Sequence, residues 1–363
     1  MRSVPALASL ALLSLLAAPV ARAAAPAAPV APKAAETVLA VAENGLPRVE
    51  FASFTAAATG ETPFAVGVWP ATPLQGALLV VDVAAPRIRT AGGSFGGKPL
   101  RFHRIDAGTL RGVAPVPHDA KAGPATLALR VTVGEGKARR KYERTLPLAI
   151  APVDYPRDQL RVDPKFTKLS AAARKQIAAD RIRLAAVWKA SPDRPLFTAS
   201  FAKPREDRTT APYGTRRTFN GAVKSVHAGW DIDGDVGDEV LCTNDGIVRL
   251  AGDLYYSGGT MIVDHGAGIF SVYMHLSDYL VKEGERVTRG QPCAKVGDTG
   301  RVTGPHLHFG VKVGGSYVHP EALLRFEIER PLAAYPGGTR LPAGAVVPAI
   351  GTPGEGREPL PAK

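Results

Sequence analysis

The sequence predicts a mainly β chain, and three observations carry that prediction. Glycine and proline number 38 and 32 among 363 residues, a density of turn formers that suits many short strands and disfavours a helical bundle. Short apolar runs recur between these breakers, as in Ala77–Val83, Ala125–Val133 and Tyr142–Ile150. One stretch alone, Ser170–Lys189, has sustained helical spacing. The length suits two domains. The apolar fraction of 45% and charged fraction of 21% exclude wholesale disorder.

The first 23 residues read as an export signal. Arg2 gives a positive start, Ala6–Val20 an apolar run, and Ala21-Arg22-Ala23 a small-x-small cleavage site. The run is shorter than the ~20 residues that span a bilayer, and no cysteine stands nearby for lipid attachment. The expectation is a periplasmic or secreted protein with no stable membrane anchor. Residues 24–37, rich in Ala and Pro, form a linker.

From 38 to 150 the β-like runs predict a small antiparallel sandwich of immunoglobulin-like type. Its last two runs flank a hairpin signal that opens with Gly134-Glu135-Gly136-Lys137. His103 and His118 lie here without carboxylates at ligand spacing and read as ordinary surface histidines. Residues 151–195 form a helical linker: Ser170 caps a helix in which Ile177, Leu184 and Trp188 recur on one side, and Pro192 ends the pattern. Between Asp154 and Arg217 stand 15 Lys and Arg against 7 Asp and Glu. That is either a solvated connector or a basic flank that attracts an anionic polymer. Nucleic acid is not the expected polymer, since the chain is exported and lacks an aromatic-rich basic groove. Residues 196–324 are again β- and Gly-rich, and 325–363 form a Pro/Gly-rich tail.

Five of the eight histidines, His227, His265, His275, His306 and His308, fall in one 82-residue window. His227 precedes Asp231 in H-A-G-W-D, His275 stands in Y-M-H-L with Tyr273 on its own side, and His306 and His308 flank Leu307 in G-P-H-L-H-F. On a strand, residues i and i+2 share a face, so His306 and His308 can enter one site. A catalytic zinc takes three protein ligands from imidazole nitrogen and carboxylate oxygen and keeps one position open. Two histidines and an aspartate meet that count, and the remaining histidines are left for proton transfer.

At these residues the sequence resembles the lysostaphin-type (LytM-like) peptidoglycan endopeptidases. The resemblance covers about Leu196–Leu324 and includes Ala211-Pro212-Tyr213-Gly214, Asp245-Gly246-Ile247-Val248, Val263-Asp264-His265-Gly266, Val287-Thr288-Arg289-Gly290-Gln291, Gly297-Asp298-Thr299-Gly300 and, most specifically, Thr303–Phe309. It implies an antiparallel β-sheet peptidase domain with a groove, and one Zn²⁺ per chain held by His227, Asp231 and His308. It makes His306 and His275 the catalytic pair and His265 a structural turn residue. His306, beside His308, is the expected general base, and His275 the donor to the oxyanion or the leaving amine, although the two roles could be exchanged.

Two features depart from the family pattern. Asp233, Asp235, Asp238 and Glu239 make an acidic loop where small apolar residues are usual. No tyrosine stands in Phe219–Val226 to assist the oxyanion, which makes Tyr213 the candidate substitute. The function implied is an exported zinc metalloendopeptidase that hydrolyses peptide cross-links of peptidoglycan. The alternatives are a non-catalytic wall-binding or amidase-activator module, or a secreted peptidase acting on protein or foreign walls. Cys242 and Cys293, both on β-like runs, either close a disulfide or remain two buried thiols.

Overall fold

A computed structural model describes residues 54–55, 64–70 and 72–324. The expected export signal, Ala/Pro linker and C-terminal tail fall outside the described residues. Among those described, no helix is long and apolar enough to cross a membrane.

The chain is mainly β. Its N-terminal part is an antiparallel path of eight strands in the order Phe54–Thr55, Ala65–Trp69, Leu78–Ala84, Thr109–Pro115, Lys98–Arg104, Ile88–Phe95, Gly123–Val133 and Arg140–Ile150. One apolar cluster draws Val66, Leu79, Val81 and Val83 from the first half of this path. It draws Phe95, Leu127, Leu129 and Val131 from the second. The predicted hairpin is present, with Val133 opposite Arg140. Within this layer Arg111 donates to both carboxylate oxygens of Asp82, at 2.7 Å each, fully shielded from water. His103 and His118 are half-buried rather than surface residues. His103 pairs across the sheet with Arg111, and burial followed by that guanidinium lowers its pKa to about 4.

The segment 151–195 is more than a connector. Strand Arg157–Leu160 runs parallel to Arg216–Phe219, which pairs antiparallel with Val223–Val226 through an Asn220-Gly221 turn. Both turn residues have positive φ, 50° and 74°, as a tight hairpin of this kind requires. Helix Ala171–Lys189 starts at Ser170, whose side chain accepts from the Ala173 N–H. Leu184 and Trp188 pack with Val187 onto Leu250, Ile262 and Phe270, and the Trp188 ring meets Phe270 edge-on.

That helix lies on one face of the central antiparallel sheet, whose order is Thr209–Ala211, Gly229–Ile232, Leu307–Val313, Ile269–Leu276, Gly258–Asp264, Gly246–Leu254 and Arg286–Val287. Facing partners across a sheet share a side. Trp230, Phe309 and Tyr273 are in register and enter the buried core. Asp231, His308 and Met274, one residue along each strand, are in register on the opposite side. Alternation along three neighbouring strands thus puts the site residues on the face that the helix covers further along at Phe270 and Val272, and the larger core on the other.

The acidic loop has partners in the basic flank and beyond it. Arg205 reaches Asp238 (3.0 Å), Arg208 reaches Asp233 (3.2 Å), and Lys295 lies 3.6 Å from Glu239. Part of the positive charge counted in the sequence is therefore balanced locally. Cys242 and Cys293 are buried free thiols. Contact with Cys242, then burial, raises the Cys293 pKa well above its ordinary value.

Candidate metal centre and catalytic histidines

The site is assembled from a loop and two strands. His227 follows strand Val223–Val226, and its backbone is tied on both sides: its N–H donates to Thr215 O (2.9 Å), and its carbonyl accepts from Gly214 N (2.8 Å). Asp231 lies on Gly229–Ile232 and His308 on Leu307–Val313, directly opposite one another. The three ligating atoms form a small triangle. His227 Nε2 is 2.7 Å from Asp231 Oδ1, His308 Nδ1 is 2.8 Å from the same oxygen, and the two nitrogens are 2.9 Å apart. All three residues are buried, and among the described residues they form the group able to hold a metal ion.

Backbone carbonyls set the tautomers. A carbonyl only accepts, so a ring nitrogen within hydrogen-bond distance of one must carry the proton. His227 Nδ1 is 2.8 Å from Pro212 O, which leaves Nε2 as a lone pair facing Asp231. His275 Nδ1 is 2.8 Å from Thr299 O, and His306 Nδ1 is 2.8 Å from Gly304 O. Their Nε2 atoms are therefore also acceptors, and His306 Nε2 lies 3.6 Å from Asp231 Oδ1. Ring centroids of His275 and His306 are 4.9 Å apart, and those of His275 and His308 6.0 Å.

This donor set suits a divalent cation. A lone pair on His227 and an anionic oxygen on Asp231 converge where His308 offers its own nitrogen, and two imidazoles with one carboxylate are the ligand types zinc prefers. Burial raises the Asp231 pKa, but contacts with His227 and His308 outweigh it and hold the carboxyl well below its ordinary range. Burial lowers His308 to about 4 despite its bond to Asp231. It lowers His275 to about 3, reinforced by His308 and His306. Both are thus neutral near pH 7, the form in which a histidine ligates or accepts a proton.

Local backbone features explain how the side chains arrive here. Gly229, in H-A-G-W-D, has no room for a side chain: a Cβ would sit 2.4 Å from Phe309 O and 2.7 Å from His308 Nε2. His275 has φ of 67°, costly for a non-glycine residue and tolerated where a site demands it. The register with Gly258–Asp264 shifts at this point. That irregularity breaks the alternation assumed from the sequence, so Tyr273 does not share a side with His275. Tyr273 is fully buried in the core, its hydroxyl accepting from Thr243 N at 2.9 Å, while His275 lines the cleft.

Tyr213 is not in the cleft either. It is 1% exposed and donates to Tyr317 O (3.0 Å), so it cannot reach an oxyanion beside the triad. Its apolar surroundings, invisible in the local sequence, decide this. His265 is fully buried, hydrogen-bonded to Asp245 O and Ser271 Oγ at 2.7 and 2.8 Å and packed edge-on against Phe201.

Two arginines in the cleft escaped the sequence reading. Arg217 Nη2 donates to Asp231 Oδ2 at 2.7 Å, which fixes the carboxylate so that Oδ1 faces the histidines. Arg301 lies in the wall of the same cleft, of about 580 Å³. Arg217 had been counted in the basic flank. No spacing rule separates such an arginine from a solvated one.

A carboxylate and two imidazoles converging on one face of an antiparallel sheet, with two further histidines beside them, define a candidate metallohydrolase centre. Residues 225–320 match the model of peptidase family M23. The chain is 41% identical over 105 residues to the peptidoglycan DD-endopeptidase ShyA of Vibrio cholerae, covering 28% of this chain and 24% of that protein. It is 33% identical over 113 residues to the DD-carboxypeptidase/endopeptidase Mpg of Neisseria meningitidis, covering 31% and 26%. The chain thus spans about a quarter of the length of these curated relatives. A crystal structure of a Pseudomonas aeruginosa protein assigned to peptidase M23 superposes with a TM-score of 0.53 at 26% identity, covering 70% of this chain and 95% of that one. Residues 225–320 are thus similar to the LytM-like domains of peptidase family M23.

Proposed function

We propose that this protein is an exported zinc metalloendopeptidase that hydrolyses peptide cross-links of peptidoglycan. The observation that carries the reading is the His227–Asp231–His308 triangle with His275 and His306 beside it. Peptidoglycan as substrate draws on the relatives, three of them named DD-endopeptidases of that polymer. Export draws on the N-terminal sequence. A complete ligand set disfavours a purely binding or activating module.

The residues that would hold zinc are His227 through Nε2, Asp231 through Oδ1 and His308 through Nδ1. Zinc bound there supplies Lewis acidity toward the scissile carbonyl and the attacking water. His306 Nε2, 3.6 Å from Asp231 Oδ1 and outside the set of ligating atoms, takes the proton from that water, and the carboxylate favours the imidazolium that forms. His275 in its Nδ1–H tautomer cannot donate from Nε2 until it gains a proton. It therefore delivers a proton to the leaving amine, or a hydrogen bond to the oxyanion, only after proton transfer within the pair.

The test is digestion of purified sacculi and of casein by the zinc-loaded full chain, with product masses and a chelator control. Release of peptides cleaved at cross-links, abolished by chelation and restored by zinc, is the expected result. Cleavage of casein with intact sacculi would instead select a protein-directed peptidase, and hydrolysis insensitive to metal removal would overturn the reading.

A further inference from the structure

Arg301 is a cation without an anion. Its guanidinium carbon stands 4.1 Å from the centroid of the Phe219 ring and 4.8 Å from that of Tyr256. Its backbone N–H donates to Tyr256 O at 2.8 Å, fixing the base of the side chain. Arg217, in the same cleft, is engaged with Asp231. Among the described residues, no carboxylate lies within ion-pair distance of Arg301. Asp158 lines the cleft from strand Arg157–Leu160, in register with Arg217, and Asp233 is taken by Arg208.

The energetics of this arrangement favour an incoming anion. Burial, and repulsion from Arg217, both act against the charge of Arg301, with Tyr256 opposing them. A guanidinium does not escape such a penalty by losing its proton. Two aromatic faces offset part of the cost and restrict the group's freedom, so the ordering needed to bind a ligand is already in place. Its N–H fork has the geometry of a carboxylate.

We propose that Arg301 is a specificity-determining residue that receives a carboxylate of the peptide substrate. The proposal rests on the reading of this site as a peptidase. It narrows the substrate class to peptides carrying a free carboxylate near the scissile bond, and disfavours a neutral glycine bridge. Wall peptides present such a group in two places, the α-carboxylate at a chain end and the side-chain carboxylate of a diamino acid.

The experiment uses the zinc-loaded full chain and synthetic cross-linked peptides. One has both carboxylates free, one has only the chain end amidated, one has only the diamino acid carboxylate amidated, and one has both amidated. For the unmodified protein, amidation at one of the two positions should lower kcat/KM by about 10- to 100-fold, the range of a charge-assisted hydrogen bond. The sensitive position identifies which carboxylate is bound. Arg301→Gln should remove that discrimination and match the unmodified protein on the doubly amidated peptide. Arg301→Lys keeps the charge without the fork and should retain a part of the preference. Equal cleavage of all four peptides by the unmodified protein would overturn the proposal, as would an Arg301→Gln that slows all four by one factor. Should no peptide be cut at all, the peptidase reading itself fails. Calorimetric binding of the free and doubly amidated peptides to the unmodified protein and Arg301→Gln then decides the carboxylate site by itself.

Discussion

At the scale of single residues, the proposed function separates metal binding from proton transfer across one dipeptide step. His308 supplies one of three converging atoms and His306 does not, although Leu307 alone lies between them. His308→Ala should therefore lose most of its zinc. His306→Ala should keep it and lose about 10²–10⁴ in turnover, the range for a general base. Zinc content measured beside turnover checks both, with folding followed by circular dichroism, and equal zinc loss in the two would reverse the assignment. Arg217 extends the argument one shell outward, because it holds Asp231 Oδ2. Arg217→Ala should weaken zinc binding by about 10–100-fold, as loss of a residue that orients a ligand does. Competition with a calibrated chelator reads this directly, and unchanged affinity would make Arg217 dispensable. His306 and His308 were legible as a pair because i and i+2 on a strand share a face, and His227, Asp231 and His275 through the H-x-x-x-D and Y-x-H-L motifs that carry the resemblance. Arg217, Arg301 and the buried state of Tyr213 were not, because they depend on contacts made across the fold.

At the scale of elements, local chemistry predicted what local chemistry controls. The Ser170 cap and helix Ala171–Lys189 follow from a hydroxyl ahead of a regular apolar pattern, and the hairpin after Val133 follows from its glycines. Strand Arg157–Leu160 was read as linker because its partner, Arg216–Phe219, is far away in sequence and the pairing is parallel. The turn of His275 into the cleft depends on a register shift between two strands, which no alternating pattern announces. Gly229 shows an element-scale constraint hidden inside a motif, since its strand passes against His308 at a distance that excludes any side chain. Gly229→Ala should push the Gly229–Ile232 strand away from Leu307–Val313 and open the ligand triangle. The expected outcome is reduced zinc occupancy with strand content by circular dichroism largely kept. Full occupancy would mean that the two strands tolerate the added methyl.

At the scale of the whole molecule, the N-terminal sheet and the sheet that carries the site share a core. Leu78, Val80 and Val113 of the N-terminal sheet belong to one buried cluster with Tyr155, Tyr213, Trp230 and Val318. Tyr155 donates to Gln75 O at 2.7 Å, and His319 N donates to Gly76 O at 2.7 Å. Excision of residues 24–150 would ask whether the N-terminal sheet positions the site on its substrate or restricts the cleft. With a shared core, excision would also bare apolar surface and confuse loss of targeting with loss of stability. A point substitution separates the two. Leu78 is 1% exposed, and Leu78→Ala should cost about 2–5 kcal/mol, as buried leucine truncations do. If the cluster couples both parts into one cooperative unit, calorimetry of the zinc-loaded chain shows a single transition, and the substitution lowers all of it. Two transitions, of which only one moves, would show that the N-terminal sheet and the site-bearing sheet unfold independently. Only in that case is excision a clean test of what the N-terminal sheet contributes to the proposed activity.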